Sequence, residues 1–374
     1  MEVINLRKKV LFYMFNLAGG GAERTIVNIV NNMDNSKFEV VLVIGSKSNN
    51  DYLNLVNKNI KIIYLQSYRH RQSLLKLSKT IRKEKPDLLF STLNKNNIIL
   101  IISKLLAFKR IPTIVREANN RTQAGRVSRI NKLFTFILYN YFSDKVISLS
   151  KGVKDDLVKN FNIKKNKIEV IYNPVDLKNI NKLKKEKVCA LDLATDEKLI
   201  IAVGKLGEQK DYSTLFRAFQ VVSNNMKVKL IILGKGPEEN KLKALCQDLV
   251  IEKKVLFMGF KDNPYKYIRK ADVFVLTSKW EGFGHVIVEA MAVGTPVIAT
   301  DCNSGPAEII EDDKYGILVP VKNHETIAEK IIELLKDEKR RKNYIELGYK
   351  RSKDFNAVNI VKQYESIFSS LNKE

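Results

Sequence analysis

The residues best suited to chemistry lie in one stretch of the sequence, residues 279–291. It holds two carboxylates, Glu281 and Glu289, on either side of Gly282 and Gly284. A glycine loop that opens a helix presents backbone N–H groups to an anion. The stretch is therefore predicted to combine an anion site with a carboxylate.

The two carboxylates are expected to have different tasks. Eight residues apart on a helix, they would be separated by about 12 Å along the axis, which is too far for the paired carboxylates of a glycosidase. We assign Glu281 to a reacting sugar and Glu289 to the hydroxyl groups of a ribose. His285 lies between them, and either its side chain titrates near neutral pH or only its backbone amide takes part.

Two lysines form a second candidate group. Lys205 and Lys210 follow a predicted strand at 198–204 and precede a predicted helix at 211–224. Ammonium groups beside a helix N-terminus neutralise a diphosphate and need no fixed bidentate geometry. Exposed lysines are usually only solvated, so the position of these two is what makes them candidates.

Parallel strands must bring these groups together, and the apolar pattern supplies two series of strands and helices. Strands are predicted at residues 9–16, 38–45, 60–65, 87–91, 113–116, 146–150, 167–172, 198–204, 228–233, 255–257, 271–277, 296–300 and 315–319. Helices are predicted after the loop at 17–24, between 91 and 113, and at 68–83, 130–142, 151–160, 211–224, 237–249, 263–270, 285–294 and 356–371.

The alternation restarts once, after an Asn-Pro turn at 173–174 and a lysine-rich segment, which predicts a domain boundary there. The expected fold is α/β, with two Rossmann-like doubly wound domains facing across a cleft. Residues 1–172 would form the N-terminal domain and 177–355 the C-terminal domain. Residues 356–374 would cross back to the first domain.

Composition limits the class of protein. The 374 residues are 45% hydrophobic, which is enough for two cores. Three cysteines at wide spacing argue against a disulfide framework or a zinc site, and indicate a reducing, cytoplasmic setting. The N-terminus lacks a signal-peptide pattern, and no apolar run reaches the roughly 20 residues of a membrane span. The chain is expected to be soluble or peripheral.

The net charge of +24 is concentrated in the first half of the chain. Residues 1–190 contain 36 Lys and Arg against 14 Asp and Glu, whereas residues 191–374 contain 29 against 27. A domain this basic favours an anionic partner, either nucleic acid or acidic lipid headgroups and lipid-linked phosphates. Coding bias toward lysine and asparagine is the plainer explanation of the composition, but it does not explain the asymmetry.

Two segments of the basic half could meet a membrane. The segment 68–83 is a basic helix with Leu74, Leu77 and Ile81 at helical spacing. It either lies on a membrane surface or packs this apolar stripe on the sheet. The apolar segment 130–142 is too short to span a bilayer and fits a buried core helix or an interfacial one equally well.

No metal is expected. The sequence has no Asp-x-Asp pair, no Walker A pattern and no cluster of His, Cys and carboxylates. The segment 234–236 lacks the third glycine of a dinucleotide fingerprint and is interpreted as a turn. The loop at 301–308 follows a strand, and its Ser304-Gly305 backbone is a candidate phosphate contact.

Taken together, these residues resemble the retaining glycosyltransferases of family 4, of the bacterial surface-polysaccharide and lipid-linked glycan type, which have the GT-B architecture. The resemblance runs nearly end to end. It rests on the loop at 19–24, Asn173-Pro174-Val175-Asp176, Lys205 with Lys210, Glu281-Gly282-Phe283-Gly284 with Glu289, and Gly294-Thr295-Pro296-Val297.

The resemblance implies roles for particular residues. Lys205 stands where the family usually has arginine, and Ala118 stands where many members have a histidine near the donor sugar, so either Glu117 or Asn119 replaces that histidine or this subgroup lacks it. The catalytic candidates are Glu281, Lys210 and Glu117. The donor-binding candidates are Gly20, Gly21, Lys205, Lys210, Phe260, Glu281, Gly282, Phe283, Gly284, His285 and Glu289. The acceptor-binding candidates are Arg116, Asn119 and Arg121.

The implied activity is transfer of a hexose or N-acetylhexosamine, with retention, from a nucleotide-diphosphate sugar, first of all a UDP-sugar. The acceptor would be a saccharide, linked to polyprenyl diphosphate, in surface glycan biosynthesis. No cofactor is expected beyond the nucleotide sugar, and the enzyme would work at the inner face of the cell membrane. The alternatives are a nucleotide-sugar epimerase or phosphorylase on the same fold, and a non-enzymatic nucleic-acid-binding protein.

Overall fold

The computed structural model describes residues 7–125, 127–188, 196–302 and 304–372. The chain divides into two compact units, Met1–Pro174 with Ala357–Glu374, and Val175–Asn356. They are called here the N-terminal and C-terminal domains, and their boundaries lie within two residues of the predicted ones. Cys189 and the ends of the predicted N-terminal domain, at 1–6 and 373–374, lie outside the described residues.

The N-terminal domain is built on a parallel sheet of seven described strands in the order β3-β2-β1-β4-β5-β6-β7. The strands are β1 Lys8–Met14, β2 Phe38–Ile44, β3 Lys61–Tyr64, β4 Leu88–Thr92, β5 Thr113–Glu117, β6 Lys145–Ser148 and β7 Ile168–Val170. Five successive residues of β1, from Val10 to Met14, are completely buried. Helices cover both faces of a parallel sheet, which is why its strands are continuous apolar runs.

The C-terminal domain repeats this plan with six described parallel strands in the order β10-β9-β8-β11-β12-β13. The strands are β8 Lys198–Val203, β9 Val228–Leu233, β10 Val255–Phe257, β11 Val273–Leu276, β12 Val297–Thr300 and β13 Ile317–Val319. In each sheet the strand order reverses beside the first strand, between β1 and β4 and between β8 and β11. This is the Rossmann order, and ligands bind where it reverses. The prediction of two doubly wound domains is confirmed.

Fourteen described α-helices connect the strands. They are α1 Gly21–Asn32, α2 Ser73–Glu84, α3 Asn94–Leu106, α4 Arg129–Tyr141, α5 Lys151–Phe161, α6 Leu177–Leu183, α7 Tyr212–Asn225, α8 Glu239–Asp248, α9 Tyr265–Ile268, α10 His285–Val293, α11 Pro306–Ile310, α12 His324–Lys336, α13 Glu338–Ser352 and α14 Ala357–Ser370. In the described part of the chain, no helix has the length and hydropathy of a membrane span.

The last helix, α14, belongs to the N-terminal domain. Its Tyr364 and Phe368 are completely buried, and their rings lie 5.9 and 5.6 Å from that of Phe90 on β4. The predicted return of the C-terminal helix to the first domain is confirmed.

Four helices, α6, α11, α12 and α13, are missing from the predicted elements, and α11 begins inside the predicted loop at 301–308. Helix α6 lies in the lysine-rich segment that was interpreted as a linker, where the Asp176 side chain accepts a hydrogen bond from the Asn179 backbone N–H at 3.0 Å and caps the helix. Helix α13 has a largely polar sequence, and its packing against α10 holds it in place. A Cβ added at Gly348 would lie 3.2 Å from the Met291 side chain of α10, so these two helices lie in close contact.

The basic segment 68–83 packs on the sheet. Helix α2 begins only at Ser73, after a short 3-10 turn at His70–Gln72. Leu77 and Ile81 are completely buried in the core of the N-terminal domain. Of the two alternatives left open by the sequence, the structure selects the buried stripe, which leaves α2 without an apolar face of that kind for a membrane.

Arg116 is a completely buried arginine in β5. Its Nε donates to the Tyr364 hydroxyl at 3.1 Å and its Nη1 to Thr92 Oγ1 at 3.0 Å. Its Nη2 donates to Asn173 Oδ1. The guanidinium therefore joins β4, β5, α14 and the end of the N-terminal domain. Its complete burial favours this structural role over the predicted contact with an acceptor.

We expect Arg116→Met to destabilise the N-terminal domain by about 3 kcal/mol or more, because three buried acceptors lose a charged donor. Urea denaturation followed by circular dichroism measures the change. Arg71→Met, at an exposed arginine of the same domain, is the matched control and should change stability by less than about 0.5 kcal/mol. Equal effects of the two substitutions would contradict the structural role.

Candidate active site

The switch point of the C-terminal sheet lies between β8 and β11, which are parallel neighbours. Residues 204–211 follow β8, and residues 277–284 follow β11. Because parallel strands end at the same edge of the sheet, the two loops meet there. The lysines and the first carboxylate predicted from the sequence are carried by these loops.

An ion pair joins the two loops. Lys210 Nζ lies 2.5 Å from Glu281 Oε1, and the Ser278 hydroxyl donates to the same carboxylate oxygen at 2.7 Å. The Lys210 side chain is 16% exposed to solvent, and the Glu281 side chain is 8% exposed. The lysine is therefore the more accessible partner, and an approaching anion would meet its ammonium group.

Three hydrogen bonds to backbone carbonyls hold the two loops in register. The Lys279 N–H donates to the Gln209 carbonyl at 2.8 Å, and Gln209 Nε2 donates back to the Trp280 carbonyl at 2.9 Å. The Thr277 hydroxyl donates to the Lys210 carbonyl at 2.9 Å. These bonds fix the positions of both charged side chains before any ligand binds, which is the preorganisation that catalysis needs.

Gly204 makes room for the Lys210 side chain. A Cβ at this position would lie 2.9 Å from Lys210 Cε, so any larger residue would displace the lysine from its path to Glu281. The sequence analysis missed Gly204 as a site residue. Its position at the end of a predicted strand, six residues before the lysine, was the available signal.

Two residues of the predicted loop at 301–308, Ser304 and Gly305, lie against the loop that carries Glu281. The Ser304 hydroxyl donates to the Glu281 backbone carbonyl at 2.7 Å. Gly305 has a φ of +87°, and a Cβ there would lie 2.4 Å from the Phe283 carbonyl oxygen. Glycine is therefore needed for this close approach. Ser304 and Gly305 contact the loop that carries Glu281, a role that the sequence analysis, which assigned them to phosphate, did not foresee.

Cys302 lies beside this charged pair but is no nucleophile. Its side chain is buried, and burial, followed by the nearby Glu281 carboxylate, raises the pKa of its thiol to about 12. A thiol with such a pKa stays protonated at neutral pH, and the thiolate is the reactive form.

Helix α10 begins directly after this loop. Its N-cap residue is Gly284, with a φ of +91° and no side-chain cap. Gly282, Phe283, Gly284 and His285 are all buried. The positive end of the helix dipole thus lies next to the Lys210–Glu281 pair, and this helix end favours a negatively charged ligand.

Glu289 lies one turn into α10 and is also buried. Its Oε1 accepts a hydrogen bond from the Tyr265 hydroxyl at 3.1 Å and lies 3.5 Å from His285 Nε2. Tyr265, at the start of α9, is a partner that the sequence analysis missed. The structure thus gives the two glutamates separate partners, as their spacing predicted, while the roles assigned to them stay predictions.

The two remaining donor candidates of this domain lie apart from the ion pair. Lys205 is exposed on the loop after β8. Phe260 is half-buried on the loop after β10, which is separated from β8 by β9 in the sheet. Lys205 is free to reach a diphosphate, whereas Phe260 lies toward the sheet edge.

The glycine candidates of the N-terminal domain lie at the N-terminus of α1. Gly20 is its N-cap residue, with no side-chain cap, and Gly20 and Gly21 are both exposed. A Cβ at Gly21 would meet no atom within 4 Å. The predicted glycine loop after β1 is present, and its role in binding a donor stays a prediction.

Glu117 lies just outside the predicted strand at 113–116, but it is the last residue of β5 and is buried. Its Oε1 accepts hydrogen bonds from the Tyr139 hydroxyl and from Asn97 Nδ2, the latter at 3.4 Å. Burial raises the pKa of this carboxyl, while Arg121 and the two hydrogen-bond donors act in the opposite direction. The enclosed carboxyl favours a supporting role over the predicted catalytic one.

The loop after Glu117 carries the other acceptor candidates. Asn119 is exposed and Ala118 half-buried, which leaves Asn119 able to meet a ligand. Arg121 donates from Nη1 to Thr135 Oγ1 at 2.9 Å, and its guanidinium lies 4.3 Å from the centre of the Phe161 ring. These contacts tie Arg121 to α4 and α5.

Within the described residues, no group of three or more His, Cys, Asp or Glu side chains could hold a metal ion. The positive charge near Glu281 comes from Lys210 and from the N-terminus of α10.

In comparison with known proteins, each half of the chain matches a glycosyltransferase family model. Residues 19–179 match the family model described as Glycosyltransferase Family 4, and residues 184–351 match that described as Glycosyl transferases group 1. A relative from Campylobacter jejuni is 32% identical over 374 residues, covering 95% of this chain and 98% of its own length. Its name is N-acetylgalactosamine-N,N'-diacetylbacillosaminyl-diphospho-undecaprenol 4-alpha-N-acetylgalactosaminyltransferase.

Two further proteins are similar. The N-acetyl-alpha-D-glucosaminyl L-malate synthase of Bacillus anthracis is 30% identical over 279 residues, 72% of this chain and 71% of its own. The crystal structure of Anabaena HepE in complex with UDP-glucose superposes with a TM-score of 0.83 at 22% identity, covering 97% of this chain and 100% of that one.

The two Rossmann-like sheets and the structural neighbour define the GT-B fold. With family models on both halves and a relative similar over nearly its full length, the chain belongs to glycosyltransferase family 4. It is a hexosyltransferase, and its reaction is glycosyl transfer in glycan biosynthesis.

The raised pKa of Glu117 predicts a pH-dependent contribution to stability. A carboxyl whose pKa is higher in the folded than in the unfolded chain stabilises the folded state at low pH, and this stabilisation is lost as the pH rises above the ordinary value of 4.5 through the folded pKa. We expect the free energy of unfolding of the wild type, minus that of Glu117→Gln, to fall over this window by at most about 1.4 kcal/mol per pH unit.

Urea denaturation of both proteins between pH 4.5 and 8 measures this difference, and subtraction removes the titration of all other groups. Asp144→Asn, at an exposed carboxylate of the same domain, is a control that should not reproduce the profile. A difference that is constant with pH would show that Glu117 titrates normally.

Proposed function

We propose that this glycosyltransferase moves a hexose or N-acetylhexosamine from a UDP-sugar to a saccharide linked to polyprenyl diphosphate, with retention at the anomeric carbon. The single observation that carries the proposal is the Lys210–Glu281 ion pair beside the N-terminus of α10. A cation and a helix N-terminus suit a diphosphate, and a buried carboxylate next to them suits the sugar attached to it.

The relative from Campylobacter jejuni supports the finer choices. Its name states a diphospho-undecaprenol acceptor and the α-linked transfer of N-acetylgalactosamine. An α-linked product formed from an α-linked nucleotide sugar is a retained configuration. Because the two chains match over nearly their full lengths, the same class of acceptor is proposed here, in surface glycan assembly at the inner face of the cell membrane.

The proposed reaction breaks the bond between the anomeric carbon and the diphosphate oxygen and forms one to the acceptor oxygen. The proton of the acceptor hydroxyl passes to the leaving phosphate. Lys210 turns from Glu281 to the diphosphate and, with Lys205 and the N-terminus of α10, stabilises the charge that develops on it. Glu281, which is held by Ser278, then accepts hydrogen bonds from the donor sugar. Glu289 accepts hydrogen bonds from the hydroxyl groups of the ribose.

The experiment that tests this function incubates the protein with UDP-N-acetylgalactosamine, UDP-N-acetylglucosamine or UDP-glucose and a short-chain polyprenyl-diphosphate disaccharide. Mass spectrometry detects the transferred sugar, and the anomeric proton coupling in the NMR spectrum gives the configuration of the product. An inverted product would overturn retention. Conversion of the UDP-sugar without acceptor would favour an epimerase.

Lys210→Met and Glu281→Gln should each lower the transfer rate by about 100-fold or more, since each removes a group proposed to act at the reacting centre. Calorimetric titration with UDP distinguishes the two variants by their affinity for UDP. Lys210→Met should weaken UDP binding because it removes a diphosphate contact, whereas Glu281→Gln should preserve it.

Lys198→Met is the matched control, since it breaks an ion pair with Asp272 at the opposite end of the same two strands. It should leave transfer unchanged. An active Lys210→Met enzyme with normal affinity for UDP would refute the assignment of Lys210 to the diphosphate.

Because lysines and a helix N-terminus are proposed to balance the leaving charge, we expect transfer to proceed in excess EDTA at close to the rate seen without it. The rate is measured after dialysis against EDTA and again after addition of Mg²⁺ or Mn²⁺. Loss of transfer in EDTA that either cation restores would show that a metal ion takes part.

A further inference from the structure

Helix α4 carries a row of exposed apolar side chains. Ile130 is 69% exposed, Leu133 57%, Phe134 52% and Tyr141 64%, and Ile137 is 39% exposed. An α-helix turns by about 100° per residue. Viewed along the helix axis, the five positions therefore fall within an arc of roughly 100°. They form one continuous stripe, called here the α4 face.

The opposite side of α4 anchors the helix in the N-terminal domain. Thr135, Leu138 and Tyr139 are buried, and the Tyr139 hydroxyl donates to Glu117. The orientation of the helix is therefore fixed by its buried side, and folding gains nothing from apolar residues on the exposed side. A contiguous apolar stripe on a protein surface marks an interaction site more often than scattered apolar residues do.

Phe108 is a second exposed aromatic residue of this domain. It follows the C-terminus of α3, its ring is 86% exposed and its φ is +52°. Glycine or asparagine usually occupies this left-handed position, and a bulky residue there is a costly choice. The exposed ring adds little to the stability of the fold. A contact between this ring and a partner outside the domain would explain why a phenylalanine occupies the position.

Hydrogen bonds link the ends of α2, α3 and α4. Arg82 of α2 donates from Nη2 to the Leu106 carbonyl at 2.6 Å, and its guanidinium lies 5.9 Å from the centre of the Phe108 ring. Lys104 of α3 donates to the carbonyl of Phe142, the residue after α4, at 2.8 Å. Phe108 and the C-terminal end of the α4 face are therefore on neighbouring elements.

The charged residues within the two sequence segments that carry Phe108 and the α4 face all have one sign. The segment 93–112 contains four Lys or Arg and no Asp or Glu, and the segment 118–142 likewise contains four and none. Arg129 and Lys132 lie on α4 itself, where Arg129 is exposed and Lys132 is half-buried, and Lys164 Nζ lies 5.8 Å from the centre of the Tyr141 ring. An apolar stripe with basic flanks is the pattern of a helix that lies in the interface of an anionic bilayer.

We infer that the α4 face, together with Phe108, docks the N-terminal domain on an anionic lipid bilayer. The apolar side chains enter the boundary between headgroups and acyl chains, and the basic flanks pair with lipid phosphates. The inference deepens the proposed function and rests on it in one respect, namely that a polyprenyl-linked acceptor lies in a membrane. The surface is α4, not the basic helix α2, whose Leu77 and Ile81 are in the core.

The test is sedimentation of the full chain with vesicles of phosphatidylcholine, with and without 30–40% phosphatidylglycerol. The double variant Leu133→Ser/Phe134→Ser should bind the anionic vesicles at least about tenfold more weakly, since each buried apolar side chain contributes more than a factor of ten at full burial. Arg129→Gln/Lys132→Gln should weaken binding at low salt and have a smaller effect at high salt.

Val250→Ser is the matched control, because Val250 is 80% exposed in the C-terminal domain and should not affect binding. Thermal melts followed by circular dichroism show that each variant is folded. Wild-type vesicle binding by a folded Leu133→Ser/Phe134→Ser variant overturns the inference. If that variant instead turns a dimer into a monomer in sedimentation equilibrium, the α4 face joins two copies of the chain and the inference is wrong.

Transfer to a water-soluble acceptor separates this inference from the proposed function. The α4 variants should transfer sugar to such an acceptor at the wild-type rate and lose rate only with acceptors embedded in vesicles. If the wild type transfers nothing from any UDP-sugar yet binds anionic vesicles through α4, the proposed function fails and the docking surface stands.

Discussion

The ion pair between Lys210 and Glu281 depends on the order of strands in the C-terminal sheet. The two residues are 71 positions apart in the sequence, and they meet because β8 and β11 are parallel neighbours at the point where the strand order reverses. A hydrogen bond from the Lys279 N–H to the Gln209 carbonyl and one from the Gln209 side chain to the Trp280 carbonyl then hold the two loops in register. A buried carboxylate is costly unless it is paired, so the pair also secures the loop that opens α10.

The N-terminal domain depends on a comparable pair of buried groups at the end of β5. Arg116 and Glu117 are adjacent in the strand, so their side chains point to opposite faces of the sheet. Arg116 bonds to Tyr364 of α14 on one side, and Glu117 bonds to Tyr139 of α4 on the other. Arg116, predicted to bind the acceptor, and Glu117, predicted to be catalytic, thus connect the sheet to the helices on both of its faces.

The contact of Glu117 with Tyr139 also explains how α4 can present apolar residues to solvent. A helix held only by its apolar face would turn that face inward, as α2 does with Leu77 and Ile81. Helix α4 is held by its buried residues Thr135, Leu138, Tyr139 and Asn140, which leaves the apolar side chains of the α4 face outside. The two helices have similar apolar patterns in sequence and opposite orientations in the structure.

The sequence by itself determined the two Rossmann-like domains, the return of the last helix and the family. Strand runs buried on both faces and glycine loops are local patterns, and their order along the chain defines the topology. Only the tertiary structure decided that α13 is a helix despite its polar sequence, that Arg116 and Glu117 are internal, and that the apolar face of α4 is exposed. It also supplied Ser278, Tyr265 and Ser304 as partners of the site. These outcomes depend on contacts between residues that are distant in the sequence. The spacing of apolar residues along the chain predicts helices and strands, but it does not identify the residues that a side chain contacts in the folded protein.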